Sequence, residues 1–468
     1  MGRELAAGGP GRSAAMGGGA CKAAWLLQPR GRAGVRSVAG GLAGAGPAAG
    51  VGGAPTRLRR EPAGCAGRTV PPCEGTPWTR RASAPAPRAP AGIAPGSPNG
   101  AAKGCAALEA SPAVSPSVPA LRGRPPAEFG IGLAGLGDIA NTHLEAYRRR
   151  GFRVVAGADV DPRRAEAARE RWGLPRVFSG PEAVAQLCRL PEVDVVDITV
   201  PHYRELRLPV VQTVAAAGKP MQVQKPMAQS YGEALELVET AERAGVPFRV
   251  NQNSVFVPAF TALHGYLRDG AIGRPYYYQI ENRGLWASEH PHFGTRPRWI
   301  ISDMGVHHYA LAQHWFGAPE TVAALGARDP SQPRLVGENL GVLALRYAGG
   351  LQGLVINNWS YRGSRGRAHA HEEIVIQGDN GAITAHSGEV EVTTLRPAAR
   401  TFPQFHGEWF PEAFGHSMHE FLTALAQGRP PLCHGRDNLQ VMAAIEAAYR
   451  SIAEGGRPVP LAEITRGG

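Results

Sequence analysis

The first 126 residues contain no phenylalanine, no tyrosine and no aspartate, and one isoleucine, Ile93. A segment so poor in core-forming residues cannot bury enough apolar surface to offset the entropy of ordering. Its richness in Gly, Ala, Pro, Arg and Ser therefore predicts a disordered extension over 1–126. Cysteine is scarce as well: six in 468 residues, four of them (Cys21, Cys65, Cys73, Cys105) in that same stretch. The remainder holds only Cys188 and Cys433, which excludes a disulfide framework or a CxxC metal pattern and suits a reducing compartment. No run approaches the ~20 apolar residues of a membrane span. The run Ala23–Leu27 is too short for a secretory core, and neither Arg59-Arg60 nor Arg80-Arg81 is followed by one. A cytoplasmic protein without a membrane partner is expected.

Charge divides at the same place as composition. Up to Arg124 there are 16 Lys+Arg and 4 Asp+Glu, a net +12 against +11 for the whole chain, so the remainder carries −1. A basic tail can attract nucleic acid or anionic lipid. Here the arginines are scattered among Gly and Pro with little aromatic interleaving, so no nucleic-acid partner is expected. A solvated low-complexity tail, or sequence upstream of the true start, accounts for it.

From Glu128 the grammar becomes that of a folded protein. Apolar runs at Phe129–Leu133, Arg153–Ala158, Arg176–Phe178, Val193–Val200, Pro220–Val223 and Phe248–Asn251 alternate with helical patterns. That alternation predicts an α/β fold built on a parallel, doubly wound sheet. Beyond Pro258 the order changes to a helix, a strand at Pro275–Asn282, a helix over Asp303–Phe316, and then several strands joined by hairpin-type turns such as Gly378-Asp379-Asn380-Gly381. This predicts an α+β domain with an open, mostly antiparallel sheet, closed by two helices. The domains are accordingly 1–126, 127–256 and 257–468.

Three constellations carry chemistry. Gly135-Leu136-Gly137-Asp138-Ile139-Ala140 lies between a strand and a helix, with Asp159 ending the next strand. The glycines allow a tight turn and close approach of a pyrophosphate to the backbone, the helix N-terminus favours its charge, and the carboxylate accepts the ribose hydroxyls. Asp159 favours NAD over NADP, whose 2′-phosphate it repels, though Arg163 and Arg164 can soften that preference. Next, Gln224-Lys225-Pro226 follows a strand directly, so Lys225 falls in the crevice at the carboxyl ends of the strands. Taken alone, it reads rather as a surface lysine at a strand–loop junction. Last, Asp303 and His307 are four apart, on one face of a helix, where a carboxylate beside a histidine makes a general base. A capped helix with a partly buried histidine fits as well, and no further Cys, Glu or spaced His completes a zinc set, so no metal is expected.

In this order the three constellations resemble the Gfo/Idh/MocA oxidoreductases over about residues 128–460. The resemblance implies a Rossmann domain followed by an open antiparallel sheet. It implies cofactor contacts from Gly135, Leu136, Gly137, Asp138, Ile139, Asp159, Arg164, Pro201, Gln224 and Lys225, with Arg164 against the adenine. His143 matches a histidine that often follows the loop, and Gly270-Ala271-Ile272-Gly273 the turn into the second domain. Lys225, Asp303 and His307 match the catalytic residues. His307 takes the proton of a sugar, cyclitol or polyol hydroxyl, Asp303 orients it, and Lys225 polarises the reacting oxygen. Trp286 to Trp299, including Glu289, His290 and His292, shape the pocket, and a homo-oligomer forms through the C-terminal sheet. The departures are Gln224 for the family's Glu, Pro201-His202-Tyr203-Arg204-Glu205 for Pro-Asn-x-x-His, and Val255 for an Arg. An NAD-dependent glycosidase or epimerase, or a dinucleotide-sensing binding protein, is the alternative.

Overall fold

The order of apolar strands and amphipathic helices after Glu128 dictates two sheets, and the computed structural model contains both. It describes residues 121–285, 294–363, 371–386 and 388–466. The expectation of disorder over 1–120 and the pocket residues Trp286, Glu289, His290 and His292 lie outside the described residues.

The first sheet is built from β1 (Gly130–Ala134), α1 (Asp138–Arg150), β2 (Arg153–Asp159), α2 (Pro162–Trp172), β3 (Val177–Ser179) and α3 (Ala183–Cys188), then β4 (Val195–Ile198), α4 (Arg204–Ala216), β5 (Met221–Gln224), α5 (Tyr231–Arg243) and β6 (Phe248–Asn251). All its strands are parallel, in the order β3-β2-β1-β4-β5-β6. Every residue of β1, β4, β5 and β6 is buried, as a parallel sheet covered by helices on both faces requires. The order reverses between β1 and β4, which opens a crevice at their carboxyl ends.

The second part runs α6 (Pro258–Arg268), β7 (Pro275–Arg283), α7 (Ile300–Asp303), α8 (Gly305–Phe316), β8 (Thr321–Ala327), β9 (Leu340–Arg346) and β10 (Gln352–Asn358). It continues through β11 (His371–Gly378), β12 (Gly381–His386), β13 (Glu389–Leu395), β14 (Ala398–Thr401), α9 (Phe414–Gln427), α10 (Gly435–Ala453), β15 (Val459–Pro460) and α11 (Leu461–Thr465). Its nine strands lie in the order β14-β13-β12-β11-β7-β10-β9-β8-β15, all antiparallel neighbours except the parallel pair β7 and β10. One face packs on α8 and α10 through Tyr278, Ile280, Leu343, Leu345 and Val355, while Val342, Leu354 and Ile356 alternate onto the other. Helices α9 and α10 return to the first part, where Arg249 of β6 donates to Ser417 and Gln252 to Asn438.

One helix is broken where continuity was expected. The Asp303–Phe316 pattern is divided at Met304, with Asp303 ending α7 and Gly305 opening α8. Gly305, the first residue after the break, is closely packed: a Cβ there would lie 2.9 Å from Asn357 Oδ1 of β10. Residues before the compositional boundary at 126 also pack on the fold. Leu121 is buried, Gly123 N–H donates to Ala426 O at 2.9 Å, and Arg124 forks onto Asp194 at 2.7 and 2.9 Å. Among the described residues no helix is long and apolar enough to cross a membrane.

Candidate active site

Glycine is required at the first turn on two counts. Gly135 has φ +95°, and a Cβ there would sit 2.8 Å from Val200 N at the end of the neighbouring strand. Gly137 faces open space, where the nearest atom to a Cβ would be an Arg164 guanidinium nitrogen at 4.0 Å. It is also the N-cap of α1 and, having no side chain, leaves the first amides of that helix pointing into the crevice. The groove therefore fits a dinucleotide, with the helix N-terminus beside it for phosphates and Arg164 for adenine. Asp159 closes the loop from below: Oδ2 accepts from Leu136 N at 2.7 Å and Oδ1 from Asp161 N at 2.8 Å. Each oxygen retains a lone pair for a ribose hydroxyl. Asp138 is exposed at the mouth, Ile139 is half-buried, and Pro201 is exposed just past β4. Arg163 turns away onto Asp161 and leaves Arg164 alone near the loop.

Beneath Gln224 lies a buried polar network. His143 of α1 donates through Nδ1 to Asp197 Oδ2 at 2.7 Å, and Tyr147 donates to the same oxygen at 2.6 Å. Gln222 donates to the other Asp197 oxygen at 3.1 Å. Burial opposes the Asp197 charge, but His143, Tyr147 and Gln222 together hold its carboxyl below the ordinary carboxylate range. With Nδ1 protonated toward Asp197, His143 Nε2 is an acceptor, and Gln224 Nε2 donates to it at 3.2 Å. A glutamate at 224 would set a second carboxylate against that lone pair, whereas an amide satisfies it. Gln224 Oε1 in turn accepts from Lys225 N at 2.8 Å, so the network fixes the backbone at the lysine.

Lys225 is brought to the second part of the chain. Its Nζ donates to Asp303 O at 2.9 Å and lies 3.6 Å from Asp303 Oδ1, which Arg296 also approaches at 3.4 Å. Burial pushes the Lys225 ammonium below the usual lysine range, with Asp303 resisting and Arg296 assisting. Behind Asp303, the Glu338 carboxylate accepts from Trp299 N and Ile301 N, and takes Tyr449 OH at 2.7 Å, anchoring the start of α7. His307, in the first turn of α8, is buried with its ring edge-on to Trp409 at 5.2 Å, and its carbonyl accepts from Ser254 Oγ at 3.0 Å. Trp409 is itself fixed by donating to Asn253 Oδ1 at 2.8 Å.

Three residues of this neighbourhood were not expected from sequence. His202, read only as a departure after β4, lies within the field of Lys225, Arg296 and Asp303. Burial and then Arg207 and Arg296 pull its pKa to about 3, which keeps it neutral. Arg296 supplies the second cation at Asp303. Arg207 of α4 is fully buried and donates to the carbonyls of Gln224, Pro226, Met227 and Val200 at 2.6, 2.5, 3.0 and 2.6 Å, shaping the loop that carries Lys225.

Comparison with known proteins agrees with this architecture. Residues 129–252 match the model of an oxidoreductase family's NAD-binding Rossmann fold, and residues 265–461 that family's C-terminal alpha/beta domain. A D-apiose dehydrogenase of Paraburkholderia graminis is 30% identical over 336 residues, 69% of this chain and 87% of the relative. An inositol 2-dehydrogenase of Rhizobium meliloti is 26% identical, covering 69% and 97%. Among solved structures, an oxidoreductase from Agrobacterium radiobacter in complex with NAD+, L-tartaric acid and magnesium has a TM-score of 0.65 at 27% identity, covering 72% of this chain and 99% of that one. Both halves of the fold are thus matched, and the chain belongs to the Gfo/Idh/MocA oxidoreductase family, with an NAD-binding Rossmann domain.

Proposed function

We propose that this oxidoreductase oxidises a secondary hydroxyl of a sugar, cyclitol or related polyol, with Lys225, Asp303 and His307 as its working groups. The observation that carries the reading is the meeting of Lys225 with Asp303 across the two parts of the chain, at the mouth of the dinucleotide crevice. When bound, the nicotinamide accepts a hydride from the carbinol carbon. His307 takes the hydroxyl proton, Asp303 holds substrate and lysine in place, and the Lys225 ammonium stabilises charge developing on the oxygen. NAD is favoured over NADP, a reading supported by the Asp159 carboxylate turned into the loop. Self-association through the sheet face bearing Val342, Leu354 and Ile356 belongs to the same proposal, supported by their half-exposed apolar side chains. A reducing, cytoplasmic setting is supported by the two free cysteines, Cys188 and Cys433.

The test is a panel of polyols, aldoses and cyclitols, with D-apiose and inositol included, assayed for net NADH and NADPH formation. Net NADH from at least one polyol is expected, and turnover of glycosides without net NADH would favour the glycosidase alternative. The pH profile adds a second check. Because burial lowers the Lys225 pKa, the alkaline loss of activity should begin below the ordinary lysine range as the ammonium deprotonates. Lys225→Arg should remove that limb, and an unchanged limb would assign it to another group.

A further inference from the structure

The face of the nine-stranded sheet turned away from α8 holds a cluster that the cleft does not use. Strand alternation puts His371 and Glu373 of β11 on this face two residues apart, and register sets His386 of β12 directly opposite Glu373. The same row continues through Glu281 of β7 and Ile356 of β10. One ligand-capable atom from each of His371, Glu373 and His386 lies within 4.8 Å of the others. Among the described residues no other group of three such side chains converges in this way.

Geometry and charge both suit a cation here. His386 Nδ1 is 3.2 Å from Glu373 Oε1. That is close to the edge, about 3.3 Å, of a tetrahedron whose ligands stand about 2.0–2.1 Å from a zinc ion. The two imidazoles meet edge to face with centroids 5.1 Å apart. Among the described residues, Arg283 lies 2.6 Å from Glu281 and 2.6 Å from Glu373 Oε2, so one cation is shared between two carboxylates. It engages Oε2, while Oε1 is the oxygen turned to His386. Two imidazole nitrogens and one carboxylate oxygen select zinc or a neighbouring late first-row ion, not magnesium or calcium, which take oxygen ligands.

We propose that His371, Glu373 and His386 form a zinc-class divalent-cation site on the outer face of the C-terminal sheet. Three protein ligands leave a fourth position for water or for a donor from another molecule. The ion clips β11 to β12 at the end of the hairpin farthest from its Gly378–Gly381 turn, where the two strands would otherwise separate first. Because it binds only the folded hairpin, it raises the stability of the native chain. The competing reading is a plain His386–Glu373 ion pair with His371 as a bystander.

The experiment is a cobalt titration of the full chain after treatment with chelator, followed by displacement with zinc. Visible d–d bands of four-coordinate cobalt should appear and be bleached by one equivalent of zinc, and zinc should raise the melting temperature. Thiolate binding by Cys21, Cys65, Cys73 or Cys105 would add a strong near-ultraviolet sulfur-to-cobalt band, which an N2O site cannot produce. His386→Ala and Glu373→Gln should each weaken zinc binding by at least about 10-fold, since loss of a group that merely supports a ligand already costs about 10–100-fold. His371→Ala should do the same, and all three should leave dehydrogenase turnover unchanged. Cobalt spectra and zinc stoichiometry identical in the parent and in His386→Ala and His371→Ala would overturn the site, as would no uptake by the parent.

Discussion

Arg207 and Arg249 are equally buried, yet the regions around them treat the same side chain in opposite ways. Arg207 gives its fork to main-chain carbonyls, and burial alone pulls its guanidinium to about 9. Arg249 lies between the rings of Phe256 and Phe421, donates to Ser417, and pairs with Glu420 at 3.2 Å. An arginine paid in carbonyls fixes the shape of one loop, here the loop that presents Lys225. An arginine joined to a carboxylate on a distant helix fixes one part of the chain against another, here β6 against α9. The first region should govern turnover and the second stability.

That division can be broken by experiment. The largest effect should come from His307→Ala, which is expected to lower single-turnover hydride transfer by about 10²–10⁴ while NAD affinity is nearly unchanged. A rate within a few-fold of the parent, measured at saturating NAD, would make His307 a packing residue. Arg249→Met should cost about 1–3 kcal/mol of stability, because the buried Ser417 carbonyl loses its donor while Glu420 keeps Arg429. Turnover well below the new melting temperature should be normal, and a matching fall in kcat would erase the distinction. Arg207→Lys should lower kcat by about 10–100-fold with little change in melting, since an ammonium cannot reproduce the planar fork that sets the loop. The smallest effect is at the edge of the fold. A chain starting at Ala127 should be less stable than one starting at Leu121 by about 1–2 kcal/mol, for the lost Leu121 contact and the part-exposed Arg124–Asp194 pair. Both should bind NAD, and equal melts would show that residues 121–126 only lie on the surface.

The dinucleotide crevice was legible in the sequence because its demands are local. Gly135, Gly137 and Asp159 answer to backbone shape and to one strand–helix–strand unit, so spacing alone nearly locates them. Lys225, Asp303 and His307 were legible through resemblance, but the contact joining Lys225 to Asp303 spans the two parts of the chain and has no spacing rule. Arg207 was invisible for a different reason: an arginine on an amphipathic helix reads as solvated until the loop that closes over it is known. The close packing of Gly305 against Asn357 was invisible because Asn357 belongs to a strand far along the chain. Strands β14 and β15 escaped because one is exposed throughout and the other has two residues, too few for alternation to register. His371 and Glu373 showed the right alternation, but only the hairpin register supplies His386.

The one parallel pair in the second sheet carries a consequence for the order of assembly. Tyr277 of β7 is paired with Gln352 of β10, so everything between them, α7 and α8 included, is a crossover that closes only when β10 arrives. During synthesis the parallel sheet, with its loop after β1 and Asp159, is complete before that closure is possible. The nascent chain can thus hold a dinucleotide while Asp303 and His307 are still without a frame. A ribosome-bound intermediate stalled beyond β6 but short of β10 would be a cofactor binder in which the proposed pair Asp303 and His307 is unframed, and premature ends in this interval should yield nucleotide-stabilised fragments.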